Sequence, residues 1–295
     1  MTTPATEGNR EDVGWLGLGA MGSPMARRLA QAGHGLTAYD PTPQRALDLG
    51  GGAVGAASPA QAASRCSVLV VMVASPAQAE VALFGPDGAA GGLRAGSRVL
   101  VLSTLGPDWV RALPARLPDG VRVVDAPVSG GVARAIAGTL LLMSSAAEPA
   151  DLELLAVLGE VSVVGDDPGQ GQAMKMVNQV LCGVHIAAAA EALALAHAMG
   201  IDPERAWDTV RRGAAASYML DDRGARMVRD EREPVRSALG LFVKDLNLVL
   251  DEADGVALPT SVVAAAAALF SAAAADGRAG HDDSELYDFV RGLRG

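Results

Sequence analysis

Residues 13–17 form a short apolar run, and residues 23–31 follow with helical spacing, apolar at Met25, Leu29 and Ala30. Residues 36–40 read as a second strand. The alternation then repeats, with apolar runs at 68–73, 99–104 and 121–125 and helical segments at 76–84 and 107–117 between them. The 68–73 run is nearly continuous Val, Leu and Met, the pattern of a strand buried on both faces. Residues 139–144 and 161–164 predict further strands around a helix at 149–158. Repeated βα units of this kind predict an α/β fold with a doubly wound parallel sheet.

The pattern changes after Asp166-Asp167-Pro168. Residues 170–199 contain no proline and no strand alternation, while Ala173, Val177, Val180, Leu181 and Val184 recur at helical spacing. A helix of that length predicts a bridge between domains. Residues 203–212, 217–229, 237–254 and 259–275 also read as helices. The expected organisation is a polar tail at 1–12, a sheet domain at 13–167 and an all-α domain at 168–295, entered by the long interdomain helix. Alanine runs at 187–190 and 264–268 suit close helix–helix approach, both in a core and at the interface of a homodimer or homotetramer. Residues 255–275 carry no charge, but their alanine content and Pro259, Thr260 and Ser261 predict a buried helix, not a membrane span.

Composition narrows the function. The 295 residues carry a net charge of −10, which argues against nucleic-acid or anionic-membrane partners. Two cysteines, Cys66 and Cys182, stand apart from any CxxC or histidine pairing, so a reducing, cytoplasmic setting is expected, with no disulfide and no metal site. Asp282, Asp283 and Glu285 read as a solvated acidic turn capping the last helix.

Four stretches carry candidate chemistry. Gly17-Leu-Gly19-Ala20-Met21-Gly22 lies between a strand and a helix, and Asp40 ends the next strand 18 residues later. In that context the glycines permit the tight turn, the close approach of a pyrophosphate and helix–strand packing, and the acid meets the adenosine ribose: a Rossmann dinucleotide site. Asp40 would repel a 2′-phosphate, so NAD is the expected cofactor. Val73-Ala74-Ser75 and Ser103-Thr104 follow strands and either line the cofactor path or serve as ordinary helix caps. Asp125-Ala-Pro-Val-Ser129-Gly130-Gly131 offers a hydroxyl and unshielded backbone N–H groups to a carboxylate. Finally, the chain has only two lysines, Lys175 and Lys244, against 24 Lys plus Arg, and each has an asparagine three residues on, Asn178 and Asn247. Residues i and i+3 share a helix face, and lysine, unlike arginine, can surrender a proton. A like charge at Lys244 would favour the neutral amine of Lys175.

These stretches, in this order, resemble the β-hydroxyacid dehydrogenase family, related to 3-hydroxyisobutyrate dehydrogenase, over nearly the whole chain. The motifs are Gly17-Leu-Gly-Ala-Met-Gly-Ser-Pro-Met25, Asp125-Ala-Pro-Val-Ser-Gly-Gly131, Gly171-Gln-Ala-Met-Lys175-Met-Val-Asn178 and Lys244-Asp245-Leu246. The resemblance implies Lys175 as catalytic acid/base, substrate held by Ser129, Gly130, Gly131 and Asn178, and Thr104 and Lys244 against the cofactor. Residues 179–193, Ser217-Tyr-Met-Leu and Phe242-Val-Lys-Asp-Leu246 are similar to the L-threonate dehydrogenase branch. Asn178-Gln179 stands where that branch often has His-Gln, and Asn247 where glycine is usual. The implied activity is an NAD(P)-dependent oxidation at CH–OH of a short hydroxy acid of threonate, 3-hydroxyisobutyrate or tartronate-semialdehyde/glycerate type. An imine reductase of similar fold usually lacks the lysine, and a non-catalytic dinucleotide-binding module has no need of it.

Overall fold

The computed structural model describes residues 10–293, so most of the expected tail lies outside the described residues. Glu11 and Asp12 do not behave as tail. Asp12 opens the first strand, and Glu11 accepts from Arg98 at 2.6 Å and from the Ser67 hydroxyl at 2.7 Å. The chain divides into two compact units, the first ending at Lys175 and the second starting at Met176.

The first unit is built on nine strands: β1 (Asp12–Leu16), β2 (Gly35–Tyr39), β3 (Val54–Gly55), β4 (Val68–Val71), β5 (Arg98–Val101), β6 (Arg122–Asp125), β7 (Val128–Ser129), β8 (Leu140–Ser145) and β9 (Gly159–Gly165). They form one sheet in the order β3-β2-β1-β4-β5-β6-β8-β7, with β9 on β8. From β3 to β6 the pairing is parallel. β8 runs antiparallel to β6 and β7, a departure from the uniformly parallel expectation. β6 and β7 run in the same direction along β8, in one register from Asp125 opposite Ser145 to Ser129 opposite Leu141, and the chain reverses through residues 130–139 before β8.

Side-chain alternation splits the sheet's two faces into two cores. Val68 and Val70 pack with Trp15, Leu100, Leu102 and Val124, whereas Leu69 and Val71 pack with Leu16, Val99, Val101 and Val123. Helices α1 (Gly22–Gln31) and α7 (Pro149–Ala156) cover the first face through Met25, Leu29, Leu154 and Leu155. Three short helices cover the other: α3 (Pro59–Ser64), α4 (Pro76–Phe84) and α5 (Pro107–Ala112). Two more, α2 (Pro43–Leu47) and α6 (Gly131–Ala137), follow β2 and β7. Register then places the site. Leu16 is level with Tyr39 and Val71, Val71 with Val101, and Val101 with Asp125. Five strands therefore end in one row, and Gly17, Asp40, Met72, Leu102 and Ala126 leave the sheet at the carboxyl edge, where open α/β sheets bind ligands.

Helix α8 (Gln170–Ala198) starts in the first unit and continues into the second, which adds α9 (Pro203–Val210), α10 (Tyr218–Arg229), α11 (Leu239–Gly255), α12 (Ser261–Ala273) and α13 (Leu286–Gly292). Among the described residues, α8, not 255–275, is the helix long and apolar enough to cross a membrane by length and composition. Its face Met176, Cys182, Ile186, Ala190 and Leu193 instead packs into the core of this unit with Trp207, Phe242, Leu246 and Phe270. Gly183 allows that approach, because a Cβ there would lie 2.6 Å from Leu246 Cδ2.

Asp282 and Asp283 correct the solvated-turn expectation. They are 1% and 0% exposed, and Arg226, itself 1% exposed, bonds both. Arg223 adds a second guanidinium to Asp283 at 3.1 Å. Burial pushes the Asp283 carboxyl up against the pull of both arginines. At Asp282 burial is outweighed by donors from Ser284, the Arg236 backbone and Arg226, which hold it below the usual carboxylate range. Asp282 does cap the following turn, accepting from Ser284 N at 3.1 Å.

Candidate active site

The glycine loop follows β1 directly. Gly17 has φ +94°, and a Cβ there would meet Met72 O at 2.2 Å. Gly22 is equally closed, with Gly17 O 2.1 Å from its notional Cβ. The buried Trp15 supports the turn from below, its indole N–H donating to Gly17 O at 2.8 Å. Gly19 differs: nothing lies within 4 Å of a Cβ placed there. That open space sits before α1, whose start has no side-chain cap and no acid in its first turn. Backbone N–H groups left for an anion, and a glycine facing open space, fit a dinucleotide pyrophosphate over Gly17–Gly22, including Ala20 and Met21.

Asp40 is 6% exposed and is tied to the same loop. Its Oδ2 accepts from Leu18 N at 2.8 Å, and its Oδ1 from Thr42 N at 2.9 Å and Arg45 Nη1 at 3.3 Å. In the neighbouring turns the serine hydroxyls bond within the fold. Ser75 caps α4 by accepting from Gln78 N, and Ala74 N donates to Gln78 Oε1 at 2.9 Å. The Ser103 hydroxyl is buried, accepting from Val73 N at 2.7 Å and donating to Val71 O at 3.2 Å. Both serines bond within the fold, and Val73 and Thr104 are partly accessible at the carboxyl edge.

The Ser-Gly-Gly turn joins β7 to α6. Gly130 and Gly131 have φ +134° and +73°, a region that favours glycine, and nothing lies within 4 Å of a Cβ at Gly131. Ser129 ends β7, a two-residue strand that sequence periodicity is too short to reveal.

Lys175 lies in the second turn of α8 and is 6% exposed. The turn before it is fastened by two residues that motif reading passed over. Asp125, wholly buried, accepts from Gly169 N at 3.0 Å and Gln172 N at 2.9 Å, and so caps α8. Gln172, also wholly buried, joins Asp125 to the 103–106 turn. Burial pushes the Asp125 carboxyl up, and the donors from Gln172, Gly169 and Gly171 oppose it.

In the second unit Asn178 donates to Gln179 Oε1 at 2.7 Å, Gln179 Nε2 donates to Asp245 Oδ2 at 2.5 Å, and Lys244 pairs with Asp245 Oδ1 at 2.6 Å. One polar chain thus joins the asparagine of the first Lys-x-x-Asn pair to the lysine of the second.

Comparison with known proteins agrees with this layout. Residues 12–165 match the model described as the NAD binding domain of 6-phosphogluconate dehydrogenase. Residues 169–290 match the NAD-binding model of NADP-dependent 3-hydroxyisobutyrate dehydrogenase. An L-threonate dehydrogenase of Cupriavidus necator is 40% identical over 96% of this chain and 97% of its own. A 2-hydroxy-3-oxopropionate reductase of Escherichia coli is 34% identical over 93% and 95%. A crystal structure of 3-hydroxyisobutyrate dehydrogenase from Salmonella typhimurium, 37% identical, superposes with a TM-score of 0.85 over 94% of this chain and 99% of that one. With its sheet topology, its glycine loop and matches across both units, the chain belongs to the 3-hydroxyisobutyrate dehydrogenase-related family of NAD(P)-binding hydroxyacid dehydrogenases.

Proposed function

We propose that the chain oxidises a short polar hydroxy acid, with L-threonate the first candidate and 3-hydroxyisobutyrate and glycerate-like acids next, using NAD and Lys175 as acid/base. The observation that carries this reading is a nearly buried lysine, in a chain with only two, one turn beyond a helix start fastened to the carboxyl edge of the sheet. The Ser129 hydroxyl and the N–H groups of Gly130 and Gly131 take the substrate carboxylate, and the Asn178 amide orients the hydroxyl-bearing carbon. Lys175 Nζ accepts the hydroxyl proton, and the electron pair leaves with the carbon's hydrogen. A bound dinucleotide would supply the two-electron acceptor at nicotinamide C4; the glycine loop would hold its pyrophosphate, and Val73, Ala74, Thr104 and Lys244 would line the rest of its path. The reading includes a cytoplasmic setting and self-association, for which the exposed apolar positions Val177, Leu181 and Leu195 of α8, with Met199 just beyond its end, offer a stripe.

NAD is preferred because a 2′-phosphate would face the Asp40 carboxylate. Three donors already occupy that carboxylate, and it has about four acceptor positions, so one stays open to a ribose hydroxyl. Half-exposed Arg45 is the opposing charge. Asp40→Ala should narrow the gap in kcat/KM between NAD and NADP, and Arg45→Ala should widen it. A clear preference of the unaltered chain for NADP refutes the role of Asp40.

The central test is Lys175→Arg, assayed on a panel of hydroxy acids by dinucleotide absorbance. Arginine keeps the charge and removes the transferable proton, so kcat should fall by roughly 10²-fold or more, with NAD affinity little changed. Near-normal kcat would remove the chemical basis of the reading.

A further inference from the structure

We propose that Gln172, held by Asp125, is a positioning residue that fixes the rotation of α8 and thereby the placement of Lys175; this rests on the acid/base reading of Lys175. The Gln172 amide has two donor and two acceptor positions, and all four are used. Its Nε2 donates to Ser103 O at 3.0 Å and to Asp125 Oδ1 at 2.8 Å. Its Oε1 accepts from Leu105 N at 2.9 Å and from Gly106 N at 3.2 Å.

A helix cap requires only the Asp125 Oδ2 bonds to Gly169 N and Gln172 N. The side chain of Gln172 does more. It joins three segments that carry proposed site residues: the turn containing Thr104, the strand end that leads to Ser129-Gly130-Gly131, and the helix that bears Lys175. The seat is closed as well as bonded. Gly171 N donates to Ser145 Oγ at 3.0 Å, and a Cβ at Gly171 would lie 2.5 Å from Met143 O.

Gln172 and Lys175 are three residues apart, on one face of α8. A helix with its side chains has a radius of about 5–6 Å, so a rotation of about 10° moves a side-chain position by about 1 Å. Misplacement on that scale can cost about 10²-fold in rate. No other side chain reproduces two donors and two acceptors at this position, so loss of the amide releases the rotation even where the fold survives.

The test uses the full chain, its best hydroxy-acid substrate and three readouts: kcat with KM, dinucleotide Kd by fluorescence titration, and amide hydrogen exchange of the segment 168–176. Gln172→Met keeps length and removes all four bonds. Its kcat should fall by about 10–10²-fold, with dinucleotide Kd within about threefold and faster exchange in that segment. The swap Asp125→Asn with Gln172→Glu rebuilds the bond between the two side chains with its polarity reversed, keeps the acceptor for Leu105 N and Gly106 N, but leaves Ser103 O without its donor, and should recover part of the lost kcat and of the slow exchange. The proposal is overturned if Gln172→Met keeps kcat within about twofold, or if kcat and dinucleotide affinity fall together. It is also overturned if the folded swap is no better than Gln172→Met. Should Gln172→Met fail to fold, Gln172→Glu replaces it as the reference for the swap. An unaltered chain inactive on the whole panel refutes the proposed function; an active unaltered chain with an equally active Gln172→Met refutes this inference alone.

Discussion

Two glycines of one loop should respond to alanine in opposite ways. At Gly17 the added methyl meets Met72 O at 2.2 Å, well inside any real contact, and the backbone stands at φ +94°. Placing an L residue in left-handed backbone costs about 1–2 kcal/mol, and the obstructing atom is a strand-end carbonyl that cannot rotate away. Overpacking of that kind adds about 1–3 kcal/mol. The sum, about 3 kcal/mol, corresponds to a fall in Tm of about 6–12 °C for a domain of this size. At Gly19 the same methyl meets nothing within 4 Å. Stability should stay within about 0.5 kcal/mol or rise slightly, because alanine restricts the unfolded chain. The methyl does stand where a pyrophosphate would approach, so dinucleotide Kd should rise by about tenfold or more, equivalent to about 1.4 kcal/mol. Thermal melts of the two variants without ligand, beside fluorescence titration with NAD, separate the effects. A Gly19→Ala protein that melts like Gly17→Ala, or that binds NAD normally, would show that the open space is not the cofactor's.

Two further outcomes follow from the second unit. Arg226→Met leaves Asp282 and Asp283 buried without their shared guanidinium and should cost about 3–5 kcal/mol at neutral pH, read as a large fall in Tm. The Asp282 carboxyl is held below its usual range when folded, so the stability it contributes is present above a pH of about 3.9 and is lost as pH falls through its depressed value. The gap between Arg226→Met and the unaltered chain should therefore narrow in acid, and a gap that widens there contradicts this assignment of charge. Gln179→Leu breaks the path from Asn178 to Asp245. A lost side-chain bond of about 1–1.5 kcal/mol should raise the KM for the hydroxy acid by roughly 5–10-fold, and an unchanged KM would show that Asn178 does not depend on Gln179 for its orientation.

The parts legible in the chain were those written in local pattern. The strand–glycine loop–helix unit with Asp40 and the five-helix reading of the second half all rest on spacings of fewer than about 20 residues. What stayed hidden depends on distant partners. Asp282-Asp283 reads as a wet turn because Arg223 and Arg226, which bury it, lie 56–60 residues upstream. Asp125 and Gln172, 47 apart, belong to two different motifs, and neither residue type alone signals that its polar atoms are saturated inside the fold. The antiparallel placement of β8 was missed for a related reason. Strand periodicity carries no direction, and the chain turns back only after β7, a strand of two residues, through the segment holding α6.

The seam between the two units runs through a continuous helix. The family models meet between residues 165 and 169, yet the compact division lies at 175 and 176, after the first turns of α8. A fragment cut at the family boundary would lose Gly169 N and Gln172, leaving the buried Asp125 carboxylate, Ser145 Oγ and the N–H groups of Leu105 and Gly106 without the partners they have here. The nucleotide-binding half is thus not a detachable cassette. Recombination among relatives would have to carry the opening of α8 along with the sheet, and expression of the first half alone should extend at least to Lys175 to be folded at its carboxyl edge.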